Sequence, residues 1–185
     1  MNPRAVILAA GESKRMGTQK LLMPFRGKVM IEYALEAARD WNPIVIAGPE
    51  VAAYLRRHPH VAVRVNDRPR LGMSHSLDLA EGVLHAGEAM LVLLADKPLV
   101  TGALIRAVCE KSAGADVGYP VRRDEPGHPV FFSSKARKRI AALPAGDTLR
   151  LIRDDPSLVR ITMETDDPGA FFDIDEPGSL TKGPE

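Results

Sequence analysis

Short apolar segments alternate, in the first half of this chain, with segments whose apolar residues recur every three or four positions. Each apolar segment is five residues long, which suits strands that are buried on both faces of a sheet. These predicted strands are Ala5–Ala9, Pro43–Ala47, Val61–Val65 and Met90–Leu94. The last is the most apolar, so we expect it to lie at the centre of the sheet.

The intervening segments predict helices. Their apolar residues recur at helical spacing over Ile31–Ala38, Glu50–Arg57 and Ser74–His85, and Thr101 is a candidate N-cap for a fourth helix. Strands that alternate with helices of this length form right-handed βαβ units. The pattern therefore predicts an α/β fold with a parallel sheet and helices on both of its faces.

The pattern changes after about residue 115. Shorter apolar segments follow, at Asp116–Tyr119, Pro129–Phe132, Leu158–Met163 and Phe171–Phe172, and polar loops and two small helices separate them. No linker or repeat divides the chain. We therefore expect one domain over residues 1–185, in which residues 116–185 elaborate the sheet begun by residues 1–115.

Composition excludes several classes of protein. A single cysteine, Cys109, excludes a disulfide framework or a Cys-based metal site within this chain and suits a reducing compartment. The net charge of +1 argues against nucleic acid or a membrane surface as a partner. No apolar run approaches the ~20 residues that span a bilayer, and the apolar stretch before Gly11 is too short for a secretory signal. We therefore expect a cytoplasmic protein.

The loop after the first strand combines small residues with positive charge. Ala9, Ala10 and Gly11 allow close approach of the backbone to a ligand, and Lys14, Arg15 and Lys20 follow. This composition favours a bound polyphosphate. The glycine spacing matches neither a P-loop nor the dinucleotide-binding fingerprint. An ordinary turn with solvated basic residues is the alternative.

The same loop resembles the signature of the MobA-like nucleotidyltransferases, and most closely that of the molybdenum cofactor cytidylyltransferases. The matching residues are Leu8-Ala9-Ala10-Gly11-x-Ser13-x-Arg15-Met16-Gly17-x-x-Lys20-Leu21-Leu22. Four further motifs follow in the order of the family: Gly72-Met73-Ser74-His75-Ser76-Leu77, Leu94-Ala95-Asp96-Lys97-Pro98-Leu99-Val100, Gly127-His128-Pro129-Val130-Phe131-Phe132 and Phe172-Asp173-Ile174-Asp175-Glu176-Pro177. The resemblance thus extends over nearly the whole chain.

The resemblance implies a three-layer αβα, Rossmann-like fold of the nucleotide-diphospho-sugar transferase type, with a mostly parallel sheet. Residues 1–115 would be the nucleotide-binding half of the domain and residues 116–185 the acceptor-side half. The first loop would bind the nucleotide through Leu8, Ala9, Ala10 and Gly11. Arg15 and Lys20 would neutralise the triphosphate and the leaving pyrophosphate, a role that suits phosphoryl-type transfer.

Asp96 and Asp175 are the expected metal ligands. Asp96 follows the predicted central strand, where open α/β sheets bind ligands, and the resemblance implies that it binds Mg²⁺ together with Asp175. If residues 173–175 are extended, Asp173 and Asp175 lie on one face. A turn aspartate is the alternative for Asp96, and an N-cap before Glu176 is the alternative for Asp175.

The remaining site residues lie in two other motifs. The resemblance places the base and the ribose at Asn66, Gly72, Ser74 and Ser76, although Ser74 also suits the N-cap of the following helix. His128 would line the acceptor side and hold a phosphate or a pterin edge. A structural role is the alternative for a lone histidine.

Three positions depart from the family pattern. Lys97 stands beside the metal aspartate, where an uncharged residue is usual, and would either contact a phosphate or repel Mg²⁺. Val29 replaces an expected proline, and the stretch Gly146-Asp147-Thr148 is shorter than its counterpart. These departures concern the acceptor more than the nucleotide.

The expected reaction is transfer of CMP from CTP to the phosphate of molybdopterin bearing molybdenum, with release of pyrophosphate. Ala10 favours CTP, because the family associates Leu-Ala-Ala-Gly with CTP and Leu-Ala-Gly-Gly with GTP. A guanylyltransferase or a sugar-phosphate nucleotidyltransferase of the same fold is the nearest alternative. A non-catalytic module that delivers the cofactor to a client molybdoenzyme is the alternative of a different class.

Overall fold

One main sheet runs through the parts of the chain that the computed structural model describes, which are residues 3–13, 17–144 and 149–175. Across these parts it has eight strands: β1 (Arg4–Ala9), β4 (Ile44–Ala47), β5 (Ala62–Val65), β6 (Met90–Leu94), β7 (Val117–Arg122), β8 (Glu125–Pro126), β9 (Val130–Phe132) and β10 (Arg160–Glu164). Two short strands, β2 (Pro24–Phe25) and β3 (Lys28–Val29), form a separate hairpin.

The strand order is β10-β7-β9-β6-β1-β4-β5, and β8 extends from β7 as a hairpin. Pairing is parallel among β6, β1, β4 and β5 and between β7 and β10, whereas β9 is antiparallel to both of its neighbours. The most apolar strand, β6, lies in the middle of this order, as predicted. Strands from residues 1–115 and from residues 116–175 share this one sheet.

Helices cover both faces of the sheet. They are α1 (Met30–Ala38), α2 (Pro49–Leu55), α3 (Met73–Glu81), α4 (Gly102–Lys111), α5 (Ser134–Arg137) and α6 (Arg150–Arg153). Alternate residues of β1 point to opposite faces: Ile7 packs in the core under α1, α2 and α4, and Val6 packs in the core under α3, α5 and α6. The predicted three-layer α/β fold with a mostly parallel sheet is confirmed.

The bounds of most predicted elements shift by one to three residues, and two predicted elements differ more. The helix predicted to extend to His85 ends at Glu81, where Gly82 is the C-cap, because glycine disfavours continuation of a helix. The strand predicted at Phe171–Phe172 is wrong. A 3₁₀ turn over Pro168–Ala170 precedes these residues, and both of their N–H groups donate to the Pro168 carbonyl and not to a neighbouring strand.

None of the helices in the described ranges has the length and apolar character that crossing a membrane requires. The separate roles expected for residues 1–115 and 116–185 stay a prediction.

The segment after β10 packs against the loop that follows β6. At Gly169 a Cβ atom would lie 2.3 Å from the Leu99 carbonyl oxygen, so the two backbones could not keep their separation. We therefore expect Gly169→Ala to lower the free energy of unfolding by about 1–3 kcal/mol, as overpacking does. Gly82→Ala is the control, since its Cβ would meet no atom closer than 3.7 Å. Urea denaturation measures both, and equal midpoints for the two variants would contradict this packing.

Candidate active site

The carboxyl ends of three parallel strands meet at one edge of the sheet. The register pairs Leu8 of β1 with Leu94 of β6, and Ala9 of β1 with Ala47 of β4. At the ends of β1 and β6 the two strands are joined by a further hydrogen bond, because the Ala95 N–H donates to the Leu8 carbonyl at 3.1 Å. The loop after β1 and the turn that contains Asp96 therefore lie side by side, at the edge where open α/β sheets bind ligands.

A pocket of about 300 Å³ opens at this edge. Most of its lining was predicted from the sequence to hold a nucleotide or a metal ion, namely Leu8, Ala10, Gly11, Gly72, Ser76 and Asp96. Pro69, Met73 and Leu94 complete the lining. Tertiary structure thus gathers residues from the loop after β1, the segment before α3 and the end of β6 around one cavity.

Three other residues that were expected to bind the nucleotide do not line this pocket. Ala9 and Ser74 are buried, and Asn66 is completely inaccessible to solvent. The Asn66 amide donates to Ser76 Oγ at 2.9 Å and accepts from the Arg68 N–H at 2.9 Å. Asn66 therefore fixes the position of Ser76, which does line the pocket.

Gly72 shapes the entry to α3. Its φ of 82° lies in a region that side-chain-bearing residues rarely adopt, and it is the N-cap of the helix. The sequence left open an N-cap role for Ser74. That alternative is wrong, because the helix begins one residue earlier, at Met73, and Ser74 lies within it.

Lys20 lies next to this pocket and joins two distant acidic residues. Its Nζ donates to Asp96 Oδ2 at 2.9 Å and to Asp175 Oδ1 at 2.8 Å. A third hydrogen bond, of 2.8 Å, goes to the Ile174 carbonyl oxygen. The Lys20 side chain is only 12% exposed, whereas that of Asp175 is 50% exposed. The lysine and both predicted metal ligands therefore converge on one point.

Lys20 is positively charged in the folded protein. Burial disfavours the ammonium form, but the hydrogen bonds and charges of Asp175 and Asp96 outweigh burial and raise the pKa of Lys20 above its usual 10.5. The side chain is therefore a cation at any physiological pH.

Polar contacts across the loop after β1 hold Lys20 in place. Ser13 Oγ accepts a hydrogen bond of 3.1 Å from the Lys20 backbone N–H and donates to Gln19 Oε1 at 3.0 Å. The Gln19 amide in turn donates to the Gly11 carbonyl at 3.1 Å. Sequence reasoning did not assign these roles to Ser13 and Gln19, although Ser13 belongs to the signature motif. Arg15, predicted to bind the triphosphate, lies outside the described residues.

The segment that contains Asp175 is anchored to the Asp96 turn. The Ile174 N–H donates to the Asp96 carbonyl at 3.0 Å, and the Ile174 side chain is fully buried in the core. This anchor directs the neighbouring carboxylates to different partners: Asp175 pairs with Lys20, and Asp173 pairs with Lys97 at 3.7 Å. The N-cap alternative for Asp175 involves Glu176 and lies outside the described residues.

Lys97 has a structural role that the sequence analysis did not consider, and its effect on a phosphate or on Mg²⁺ stays a prediction. Its side chain is 7% exposed, and Nζ donates to the Phe171 carbonyl at 2.9 Å. With the ion pair to Asp173, this contact holds the chain segment that leads to Asp175. Lys97 is therefore a positioning residue that ties the Asp96 turn to the segment before Asp175.

Replacement of Lys97 by methionine would leave the Phe171 carbonyl without its charged donor. We expect Lys97→Met to lower the free energy of unfolding by about 1.5–3 kcal/mol, the usual contribution of a hydrogen bond to a charged group. Chemical denaturation measures the change, and Lys111→Met, at an exposed position in α4, is the control. If Lys97→Met is as stable as this control, the hydrogen bond from Lys97 to the Phe171 carbonyl contributes little to the free energy of unfolding.

The backbone N–H of His128 donates to the Ala170 carbonyl at 2.9 Å, and the expected place of this residue on the acceptor side stays a prediction. Burial, together with the nearby charge of Lys97, lowers the pKa of the imidazole from 6.5 to about 4. Its Nδ1 atom is buried and makes no hydrogen bond. The ring is therefore neutral near pH 7, and any contact with an acceptor phosphate would lack positive charge from this residue.

The low pKa of His128 predicts a loss of stability in mild acid. Between pH 6.5 and about 4 the unfolded chain binds a proton at this residue and the folded chain does not, so stability falls as the pH falls through this range. We expect His128→Asn to show a smaller fall than the unaltered protein. Urea unfolding at successive pH values gives the difference between the two proteins, and a difference that does not vary with pH would contradict the low pKa.

Comparison with known proteins identifies the family. The profile described as MobA-like NTP transferase domain matches residues 5–160. The chain belongs to this family. The resemblance of the sequence motifs to the MobA-like nucleotidyltransferases is thus confirmed.

One curated relative of this MobA-like protein is the bifunctional protein GlmU of Novosphingobium aromaticivorans. The two are 30% identical over 173 residues, which cover 87% of this chain and 34% of the relative. The chain thus spans about a third of the length of this relative.

Three solved structures share the fold. Rv0371c of Mycobacterium tuberculosis in complex with manganese is 22% identical, with a TM-score of 0.75 and 89% of each chain covered. Molybdopterin-guanine dinucleotide biosynthesis protein A of Archaeoglobus fulgidus is 19% identical, with a TM-score of 0.75 and coverage of 96% and 94%. A CMP:2-keto-3-deoxy-manno-octonic acid synthetase complexed with CTP is 13% identical, with a TM-score of 0.79 and coverage of 97% and 95%. At these identities the likeness shows the fold alone.

Proposed function

We propose that this chain transfers CMP from CTP to the phosphate of a molybdopterin-type acceptor, with release of pyrophosphate. The observation that supports this proposal best is the convergence of Lys20, Asp96 and Asp175 beside a pocket lined by Ala10 and Gly11. One cation and two carboxylates, at the mouth of a cavity of about 300 Å³, suit a nucleotide whose phosphates point towards the acidic pair. We place this activity in the cytoplasm.

Residues of the first loop would hold the nucleotide. Gly11 is exposed, and a Cβ at this position would meet no atom within 4 Å, so its backbone is open to a ligand. Lys20 and Arg15 would neutralise the triphosphate and the negative charge that develops on the leaving pyrophosphate. Positioning and charge compensation of this kind account for most of the catalysis of phosphoryl-type transfer.

The donor set at the acidic pair fits a divalent ion. Two carboxylate oxygens and the Ile174 carbonyl oxygen lie within hydrogen-bond distance of a single cationic atom. Oxygen ligands of this kind, one or two of them carboxylates, together with substrate phosphates, are what Mg²⁺ takes in nucleotide sites. Asp96 and Asp175 would hold the ion, which we propose to be Mg²⁺. When bound, it would supply further positive charge against the phosphates.

In the proposed reaction an oxygen of the acceptor phosphate attacks the α-phosphorus in line. The bond between the α-phosphorus and the oxygen that bridges it to the β-phosphorus breaks, and the electron pair leaves with pyrophosphate. No covalent intermediate with the protein is required. His128, neutral near pH 7, would contribute a hydrogen bond or a packing surface to the acceptor.

The choice of CTP rests on Ala10 in the Leu8-Ala9-Ala10-Gly11 sequence, and the CTP-bound synthetase shows that a similar fold accommodates this nucleotide. Guanylyl transfer is the second candidate, since one structural neighbour is named for a guanine dinucleotide. A sugar-phosphate acceptor is compatible with the GlmU relative.

Nucleotide choice can be tested by thermal stabilisation with CTP, GTP, ATP and UTP in the presence of Mg²⁺. We expect CTP to stabilise the protein most, by about 2.7 kcal/mol at 100 times its dissociation constant. A larger effect of GTP would favour guanylyl transfer, and a larger effect of UTP would favour a sugar-phosphate acceptor.

Catalysis can be tested by pyrophosphate release that depends on the acceptor. We expect Asp96→Ala to lower turnover at least about a hundredfold, because charge stabilisation at the transferring group is lost. Asp166→Ala, at an exposed position after β10, is the control and should keep full activity. Unchanged turnover in Asp96→Ala would remove the metal role of this residue, whereas nucleotide binding without pyrophosphate release would favour the delivery module.

A further inference from the structure

The Lys20 ammonium already occupies the position that an ion between Asp96 and Asp175 would need. An ammonium group has three N–H donors, and all three are engaged, by the two carboxylates and by the Ile174 carbonyl, at 2.8–2.9 Å. The group thus satisfies its own hydrogen-bonding capacity at this point. It also neutralises part of the negative charge of the acidic pair.

A divalent ion and this ammonium compete for the same oxygens. Mg²⁺ binds oxygen at about 2.0–2.1 Å, so an ion in contact with both carboxylates would lie in the space where Nζ now lies. Two cations in that space would repel each other strongly, since the Lys20 side chain is only 12% exposed and solvent screens the pair poorly. An ion can therefore bind both carboxylates only after the ammonium has left.

The ammonium can leave without moving the backbone. The Lys20 N–H is fixed by Ser13 Oγ at 3.1 Å, whereas the side chain has a flexible four-carbon stem. The adjacent pocket is lined by Gly11 and Asp96, so phosphates bound there would offer the ammonium new acceptors. Displacement towards a polyphosphate would exchange one set of oxygen partners for another.

We propose that Lys20 is a resident cation that holds Asp96 and Asp175 together in the free protein and keeps a divalent ion out until a polyphosphate draws the ammonium away. The inference rests on the proposed function for the identity of that polyphosphate. Binding of the nucleotide and binding of the ion therefore strengthen each other, because the nucleotide draws the Lys20 ammonium away and the ion binds only after the ammonium has left. The ion then enters together with the nucleotide and binds the free protein only weakly.

Binding of Mn²⁺ in the absence of nucleotide tests this inference, with the electron paramagnetic resonance signal of free Mn²⁺ as the readout. We expect Lys20→Met to bind Mn²⁺ at least about tenfold more tightly than the unaltered protein, because a unit positive charge next to the site has been removed. Lys20→Arg keeps a cation at this position and should bind Mn²⁺ as weakly as the unaltered protein. Adding Asp175→Asn to Lys20→Met should abolish the gain.

The inference is overturned if Lys20→Met binds Mn²⁺ no more tightly than the unaltered protein. It is also overturned, without any variant, if the unaltered protein binds Mn²⁺ at micromolar concentration in the absence of nucleotide. Pyrophosphate release distinguishes this failure from failure of the proposed function. If pyrophosphate is released but Lys20→Met binds Mn²⁺ no more tightly, only the inference of a resident cation fails. If Lys20→Met binds Mn²⁺ more tightly but no combination of nucleotide and acceptor releases pyrophosphate, only the proposed reaction fails.

Discussion

The three hydrogen bonds of the Lys20 ammonium join parts of the chain that are far apart in sequence. They connect the loop after β1, the turn after β6 and the segment after β10, through Asp96, Ile174 and Asp175. Without a cation at this point, two carboxylates would face each other in a partly buried crevice, which is unfavourable. The geometry of the candidate site therefore depends on this charge, and the surrounding contacts serve to keep it in place.

The fold brings these segments together through the register of its parallel strands. β1 and β6 are adjacent and end level with each other, so the loop that leads to Lys20 and the turn that contains Asp96 begin at the same edge. The third segment arrives from the far side of the sheet, after β10, and is tied down by Ile174 and Lys97. Strand order thus brings two of the three segments of the site together, and the contacts of Ile174 and Lys97 hold the third segment beside them.

Much of this arrangement follows from local sequence. The alternation of apolar strands and helical segments predicted the α/β layers and the central position of β6, because these periodicities are local properties of the chain. The signature loop and the motifs at Asp96 and Asp175 named the residues that the structure brings together, since their order along the chain matches that of the family. Asn66 and Lys97 could not be placed in this way, because burial and hydrogen-bond partners depend on segments distant in sequence. For the same reason the 3₁₀ turn before Phe171 was not foreseen.

The layered fold, the small and cationic first loop and the identity of the three charged residues at the candidate site can all be predicted from the amino-acid sequence. The position of Lys20 between the two carboxylates, the contact of Lys97 with the Phe171 carbonyl and the support of Ser76 by Asn66 become apparent only in the folded chain. Periodicity and motif order are properties of neighbouring residues, whereas the partner of a charged or amide group depends on the distant segment that packs against it.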